Sequence, residues 1–470
     1  MPSTMGSYMI PSSGLYTSQS SLYVTNSNIS NVDTPGYTRQ QSISCNTSPS
    51  TQGSYKIGTG VDIQQVRQIR SSFLDNSYRT ENSSLGYWEA QAGVINDIES
   101  LLGTFSEYGL QSSIDNFFHA WDELSKNPES LTARAMVVEY GVAFTDTVNQ
   151  IDEQLTNIQQ DICSQVASTV DEVNQIAQDI SDLNVKIMEC EAKGLDANDY
   201  RDQRNLLIDE LSYLTDIETV EQPNGMIDIT IGGAYLVNGS KANKMEVEFS
   251  DSSGSYVQVK WEGSNKDVQV KDGRLKGLMD CVEGSESIIS QARRELDHLV
   301  YTMATEVNTI HSSGYGLDGS TGIDFFVAID SSEPIGMGNI QVNPELDDLN
   351  KIATSKSGEP GDNTIANEMV SFRNEEYFDY DGSKMNIDDY CISFTTSVGT
   401  AGKEATAFAT HQRALVNQVQ VQRQALSQVS MDEEMNNMII YQQAYNANAK
   451  VFQAIDEMVD TIINRLGISY

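Results

Sequence analysis

The sequence predicts a mainly α-helical chain with an inserted β-rich domain, elongated and multidomain, its N- and C-terminal helices paired as a coiled-coil-like axial core. Three observations predict this. Heptad-spaced apolar stripes occur near both ends of the chain, at Tyr8, Leu15, Leu22 and Ile29 and at Met431, Met438, Tyr445, Phe452, Val459 and Leu466. A sustained helical pattern runs over residues 148–190. Between the helical stretches, Ile227-Asp228-Ile229-Thr230-Ile231 alternates with period two, as a half-buried strand does.

Along residues 8–32 the apolar stripe is thin, and Ser, Thr, Asn and Gln flank it. These are mediocre helix formers, so an isolated helix is marginal and needs a partner. The helix is predicted to stop near Thr34-Pro35-Gly36, because proline pushes Thr34 out of the helical region. A stretch of β and turn character follows to about residue 69, and helix resumes near Phe73, continuing with interruptions to about Phe118. Asn127-Pro128 marks the next break.

In residues 148–190 the apolar steps alternate three and four, with extra steps of four near Val166 and Val170, a stutter in coiled-coil terms. At about 1.5 Å per residue this helix spans roughly 60 Å, which suits a rod-like domain. Gly194 ends it, and a shorter helix over residues 199–214 folds back. Alternation at residues 227–231, 235–239, 247–249, 256–261 and 268–270 reads as the β insertion. Helix returns over residues 275–310, then a mixed region, then a last helix over residues 405–466. Its seam has a companion column at Tyr441, Ile455 and Ile462, broken at Asn448, and the N-terminal stripe is the partner expected for it. The domains expected are residues 1–70 with 405–470 as the axial core, 71–215 with 275–330 as a helical rod, 216–274 as a small β-rich outer domain, and 331–404 as a mixed α/β segment on the rod.

Composition restricts function. The 470 residues carry 29 Lys+Arg against 67 Asp+Glu, a formal net charge of -38. No basic patch able to neutralise phosphates is visible along the sequence, so nucleic acid is not an expected partner, and anionic membrane surfaces are disfavoured. Residues 1–30 lack the basic start and apolar run of a secretory signal, and no apolar run is long enough to span a bilayer. The five cysteines are scattered and lack CxxC spacing, which argues against a disulfide framework or zinc site.

Catalytic and cofactor signatures are equally weak. Gly314-Tyr315-Gly316-Leu317-Asp318-Gly319 fits G-x-G-x-x-G, but a helix precedes it and Phe325-Phe326-Val327 follows, the reverse of a dinucleotide turn. Asp379-Tyr380-Asp381-Gly382-Ser383 lacks the glycine position and closing glutamate of a calcium loop. The four histidines, His119, His298, His311 and His411, fall in no metalloprotease spacing, and no GxSxG elbow exists. The expectation is a non-enzymatic chain with no cofactor and no metal.

Two segments carry a family resemblance. Asn28-Ile29-Ser30-Asn31-Val32-Asp33-Thr34-Pro35-Gly36-Tyr37-Thr38-Arg39 resembles the N-terminal motif of the bacterial flagellar rod, hook and hook-associated axial proteins. Ser430-Met431-Asp432-Glu433-Glu434-Met435 and Tyr441-Gln442-Gln443-Ala444-Tyr445-Asn446-Ala447-Asn448-Ala449-Lys450 resemble the C-terminal signature of its hook-associated branch. Further matches are Gly273-Arg274-Leu275-Lys276-Gly277-Leu278, Val307-Asn308-Thr309-Ile310-His311 and Gly361-Asp362-Asn363. The resemblance implies stacked domains around a core built from both termini and a structural role at the hook–filament junction. It further implies a ring of about a dozen subunits. Hook protein on one side, a second junction protein on the flagellin side and an export chaperone are the implied partners, with export through the flagellar type III channel. The implied assembly residues are Leu15, Leu22, Ile29, Pro35, Gly36, Tyr37, Met438, Tyr445, Phe452, Val459 and Leu466. A hook or distal-rod protein of the same family is the alternative; a surface adhesin or wall hydrolase fits less well.

Overall fold

The computed structural model describes residues 4–52, 55–249, 257–264, 266–282, 284, 287–380 and 382–465. In chain order the helices are α1 (Thr4–Ser30), α2 (Ser72–Tyr108), α3 (Leu110–Lys126), α4 (Leu131–Glu191), α5 (Asn198–Leu214), α6 (Arg274–Val282), α7 (Ile288–Ser312), α8 (Thr364–Phe372), α9 (Ile387–Ser427) and α10 (Met431–Asp460). The strands are β1 (Gln40–Asn46), β2 (Ser50–Gln52), β3 (Tyr55–Ile57), β4 (Val61–Gln68), β5 (Glu218–Glu221), β6 (Ile227–Ile231), β7 (Ala234–Asn238), β8 (Lys241–Ala242), β9 (Met245–Phe249), β10 (Val257–Trp261), β11 (Phe326–Val327), β12 (Gln341–Val342), β13 (Phe378–Tyr380) and β14 (Ser383–Met385). The chain is mainly α-helical with small antiparallel β elements, and its first and last helices pair, as the sequence predicts.

The chain forms two compact units, one of residues 1–83, 172–244 and 412–470, the other of residues 84–171 and 245–411. In the first, β5 to β8 make a four-stranded antiparallel meander. Strand β6 alternates as its sequence demands, with Ile227, Ile229 and Ile231 buried. They join Ile180, Leu183 and Ile187 of α4 and Ile208 and Leu211 of α5 among the buried apolar residues of this unit. Asn184, fully buried on α4, holds the meander at the start of β6 and at the turn between β7 and β8. Its amide donates to the carbonyls of Ile227 (2.8 Å) and Gly239 (2.7 Å) and accepts from Ile227 N (3.1 Å).

In the second unit, α3 turns Leu110, Ile114, Phe117, Phe118, Trp121 and Leu124 inward at helical spacing. An aromatic cluster forms around Phe117, which meets Trp121, Phe144, Phe325 and Phe326 at centroid distances of 5.5–6.4 Å. The buried Arg134 ties the loops to this core. It donates to the carbonyls of Pro128 (2.7 Å) and Ile352 (2.5 Å) and to Thr354 Oγ1 (2.9 Å).

Three element boundaries differ from the sequence reading. Helix α4 begins at Leu131, where Ser130 Oγ accepts from Ala133 N (3.3 Å), well before Val148. The helix expected over residues 275–310 is two helices, parted near Gly284, whose φ of 84° is left-handed, and restarted by the N-cap Ser287. The last helix is also two. Helix α9 starts at Ile387, with Asn386 Oδ1 accepting from Asp389 N (2.8 Å), and ends at Ser427, whose carbonyl accepts from Arg39 N (2.9 Å). Residues 268–270 form no strand; Val268 N donates to Val259 O (2.9 Å) beside β10.

Candidate assembly site at the paired termini

Helix α1 carries Pro11, Gly14 and a run of Ser, Thr and Asn, and such a segment does not hold helical form by propensity. Tertiary contact holds it, against α10 on one side and β1 and β4 on another. The buried positions are Pro11, Gly14, Ser18, Ser21, Thr25 and Asn28, a 3-4 heptad line of small and polar residues. Leu15, Leu22 and Ile29 are half-buried and flank that line rather than forming it. The line permits close approach: a Cβ on Gly14 would lie 2.6 Å from the Asn448 amide nitrogen. Asn448, the polar break in the apolar column of α10, therefore faces a glycine. Toward the hairpin, Ser21 Oγ meets Ser42 Oγ (2.9 Å), and Val61 N donates to Ser13 Oγ (3.1 Å).

The two helices run antiparallel. Tyr8 sits edge-on to Phe452 at 5.1 Å and donates to Asp456 Oδ1 (3.1 Å), while Asn28 meets Glu434 twenty residues further along. The same step of two heptads separates Gly14 from Asn28 and Glu434 from Asn448.

Asn28, 1% exposed, is the hub. Its Nδ2 donates to Gln40 O (2.9 Å) and Glu434 Oε2 (3.2 Å), and its Oδ1 accepts from Gln40 N (3.0 Å) and Tyr37 OH (2.9 Å). Every strong hydrogen-bonding site of the amide is used, which fixes its orientation. The chain reverses between the two anchors through Thr34 N to Asn31 O (3.0 Å) and Tyr37 N to Thr34 O (3.2 Å), with Gly36 at φ 78° supplying the left-handed step. Arg39 then forks over the first turn of α10, its Nε on Glu434 (2.9 Å) and its Nη2 on Glu433 (2.8 Å). The hydrogen bond to Glu433 holds the guanidinium above its ordinary value, and Glu433 is held below its own. Two carboxylates in a first helical turn also favour the helix dipole.

Asp202 of α5 anchors the next residue, accepting from Thr38 N (3.0 Å). Burial pushes its carboxyl up to about 6, against the lowering effect of the Thr38 hydrogen bonds and of Arg70, 3.8 Å away. Arg423 of α9 pairs with Asp75 (2.9 Å) and Asp209 (2.7 Å) and lies over Tyr78, 4.4 Å from its centroid. A cleft of about 580 Å³ is lined here by Pro35, Gly36, Tyr37, Leu206, Tyr213 and Arg423, among others.

The sequence-picked residues are distributed as follows. Pro35 and Gly36 are exposed at the reversal, and Tyr37 is half-buried against Asn28. Met438 and Val459 are half-buried, while Tyr445 and Phe452 are exposed. Leu466 lies outside the described residues. The structure adds Gly14, Asn28, Arg39, Asp202 and Glu434, which reading for apolar stripes passed over. A 3-4 line of small residues is the signal that marks the first two.

Helix α10 has another property. Glu434 is its one buried residue. Ile440 is 59% exposed and Met458 63%, and Met435, Ile439 and Val451 are also exposed.

Elsewhere, Gly314 to Gly319 form a glycine turn after α7, with Gly316 N donating to Ser320 O (2.8 Å) and no helix following. Asp379 caps the β13–β14 hairpin by accepting from Gly382 N (3.0 Å); Asp381 lies outside the described residues. Among the described residues no three His, Cys, Asp or Glu side chains are grouped to hold a metal ion, and no helix is long and apolar enough to cross a membrane.

Residues 95–326 match the flagellar hook-associated protein FlgK helical domain, and residues 422–466 match the flagellar basal body rod FlgEFG protein C-terminal family. The chain is 29% identical to flagellar hook-associated protein 1 of Bacillus subtilis, over 96% of each chain. It is 23% identical to the protein of that name from Escherichia coli, over 96% of this chain and 98% of the relative. A solved structure, the flagellar hook junction protein FlgK from Burkholderia pseudomallei, shares the fold with a TM-score of 0.64 at 15% identity, covering 77% of this chain and 100% of that one. Residues 95–326 thus carry the FlgK helical domain, and along nearly its whole length the chain is similar to flagellar hook-associated protein 1, whose members are structural proteins rather than enzymes.

Proposed function

We propose that the chain forms the junction ring between hook and filament, its paired termini packing against those of neighbouring copies. The observation that carries this is helix α10, a helix of 30 residues whose only buried side chain is a glutamate and whose Met435, Ile439, Ile440, Val451 and Met458 are exposed. Solvent is a poor resting place for such a surface, and the apolar positions repeat in register with a helical partner. In this reading Leu15, Leu22, Ile29, Tyr445, Phe452 and Val459 complete their burial in the ring, Leu466 continues their heptad seam in the sequence, and Pro35, Gly36 and Tyr37 make the turn that leaves it. The axial core takes residues 1–70 with 405–470, and residues 216–274 face outward. Hook protein, a second junction protein and an export chaperone are its partners, and the flagellar type III channel is its route out.

Deleting the gene is expected to leave cells with hooks but no filaments, shedding flagellin into the medium. Wild-type chain restores filaments, whereas Ile440→Ser with Met458→Ser does not, although the variant folds. Normal filaments in the deletion strain overturn the proposal. The match of residues 422–466 to the rod-protein C-terminal family favours one rival, a hook or distal-rod subunit. That reading predicts loss of the hook itself, which electron microscopy of the same strain distinguishes.

A further inference from the structure

We propose that an arginine-lined cleft in the first unit is a binding site for an anionic group, a carboxylate or a phosphate. The site does not depend on the junction reading. The cleft, about 530 Å³, opens between β4, the first turns of α2, the start of α5 and β5.

Its lining holds Arg67, Arg70, Arg79, Arg201 and Arg204, five of the fourteen arginines of a chain whose net charge is -38. Four carboxylates share the lining, and all are engaged. Asp75 takes Arg70 (3.1 Å) and Arg423 (2.9 Å); Glu191 takes Arg201 (2.7 Å); Glu221 takes Arg201 (2.5 Å); Asp196 accepts from Val66 N (2.8 Å).

Two guanidinium groups keep capacity in hand. Arg204 is 2% exposed, and its Nη1 donates to Asn184 Oδ1 (2.9 Å) and Gly225 O (2.7 Å). Its Nε–H is buried without a hydrogen-bond partner among the described residues, Arg204 is one of the residues lining the cleft, and Glu221 stands 3.9 Å from Nη2. A buried charged donor left unmatched is costly unless an acceptor arrives. Arg67 is exposed, donates only to Gln41 Oε1 (3.3 Å) and has no carboxylate partner among the described residues.

The third contribution is the start of α5. Its N-cap is Ala197, which offers no side-chain acceptor, and Ala197 and Asn198 both line the cleft. A helix N-terminus without a side-chain cap attracts negative charge. Guanidinium forks match the paired oxygens of carboxylate and phosphate, which sets the ligand class. The anion comes either free from solution or on an Asp or Glu side chain of a second copy, of which the chain has 67.

The test uses the full chain, with inorganic phosphate and then citrate as probes against sodium chloride of equal ionic strength. Hydrogen exchange is followed at residues 65–79 and 196–205, and self-association by sedimentation. Saturable protection by phosphate is expected, weakened about tenfold or more in Arg67→Gln, the loss of one charge-assisted hydrogen bond. Arg67 is exposed, so this variant keeps its fold. If phosphate also suppresses self-association, the natural anion is a side chain of a second copy; protection without that change assigns a free anion. Protection no greater than in chloride, or undiminished in Arg67→Gln, overturns the proposal.

Discussion

Helix α3 and helix α10 bury opposite kinds of residue. Helix α3, in 17 residues, turns six large apolar side chains into an aromatic core, whereas α10, in 30, buries one glutamate and leaves Met435, Ile439, Ile440 and Met458 exposed. The first is a finished element, stabilised by its own chain. The second is held by directional polar contacts that define where α1 lies, while its apolar content remains available. Polar pins specify a position at modest net gain, since a typical hydrogen bond contributes only about 1 kcal/mol, whereas apolar burial supplies the bulk of the stability.

The contrast can be tested from its strongest term downward. Trp121→Ala should destabilise the second unit by about 3–5 kcal/mol, the usual cost of emptying a large aromatic site. Calorimetry should show that unit melting early, and an unchanged transition would mean the aromatic cluster is not its core.

Acid should separate the two units by sign. His311 is 1% exposed, donates through Nδ1 to Ile323 O (2.7 Å) and accepts through Nε2 from Ala353 N (3.1 Å), so it is buried neutral. Burial lowers it from 6.5 to about 4. Its contribution is therefore present above pH 6.5 and disappears as pH falls through 4, on the order of 3 kcal/mol. Asp202 is raised from 3.8 to about 6, so its contribution is fullest below pH 3.8 and is lost as pH rises through 6. Between pH 6.5 and 4, hydrogen exchange should quicken around residues 311 and 353 while slowing around residues 38 and 202. His311→Gln should flatten the first trend and Asp202→Asn the second.

Glu434→Ala should weaken the docking of α1 by about 2 kcal/mol, because a buried carboxylate that bonds both Asn28 and Arg39 is removed. Proteolysis within residues 4–30 should speed up while the second unit is untouched. Gly14→Leu gives the smallest effect and the sharpest conflict. Helix propensity favours the substitution by about 1 kcal/mol, yet the close approach of Asn448 opposes it. Slower exchange in α1 would show that propensity governs this helix; faster exchange, partly reversed by Asn448→Ala, is the expected result.

Much of this architecture is legible in the residues. The stop after α1, the return at Gly194, the period-two run of β6 and the pairing of the first and last helices all follow from local chemistry. The breaks at Gly284 and at residues 428–430 are harder to see, because the apolar period continues across them. What ends α9 is a partner 388 positions away, the Arg39 amide on the Ser427 carbonyl. At the candidate assembly site the sequence displays apolar stripes, and hydrophobic periodicity is the usual helical signal. The buried line of Gly14, Ser18, Ser21, Thr25 and Asn28 has the same period without the hydrophobicity. Asp202 and Glu434 look like two more acids in an acidic chain, and only tertiary placement sets them apart.

The Asn28–Glu434 contact also has a consequence in time. Its two residues are 406 positions apart, so α1 leaves the ribosome long before its partner exists. A strongly apolar arm would spend that interval seeking other surfaces. An arm whose inner face is glycine, serine, threonine and asparagine can wait hydrated, without a sticky segment to shield. It is recognised by shape and hydrogen bonds once α10 arrives, so the polarity that makes α1 a poor helix also makes it a patient one.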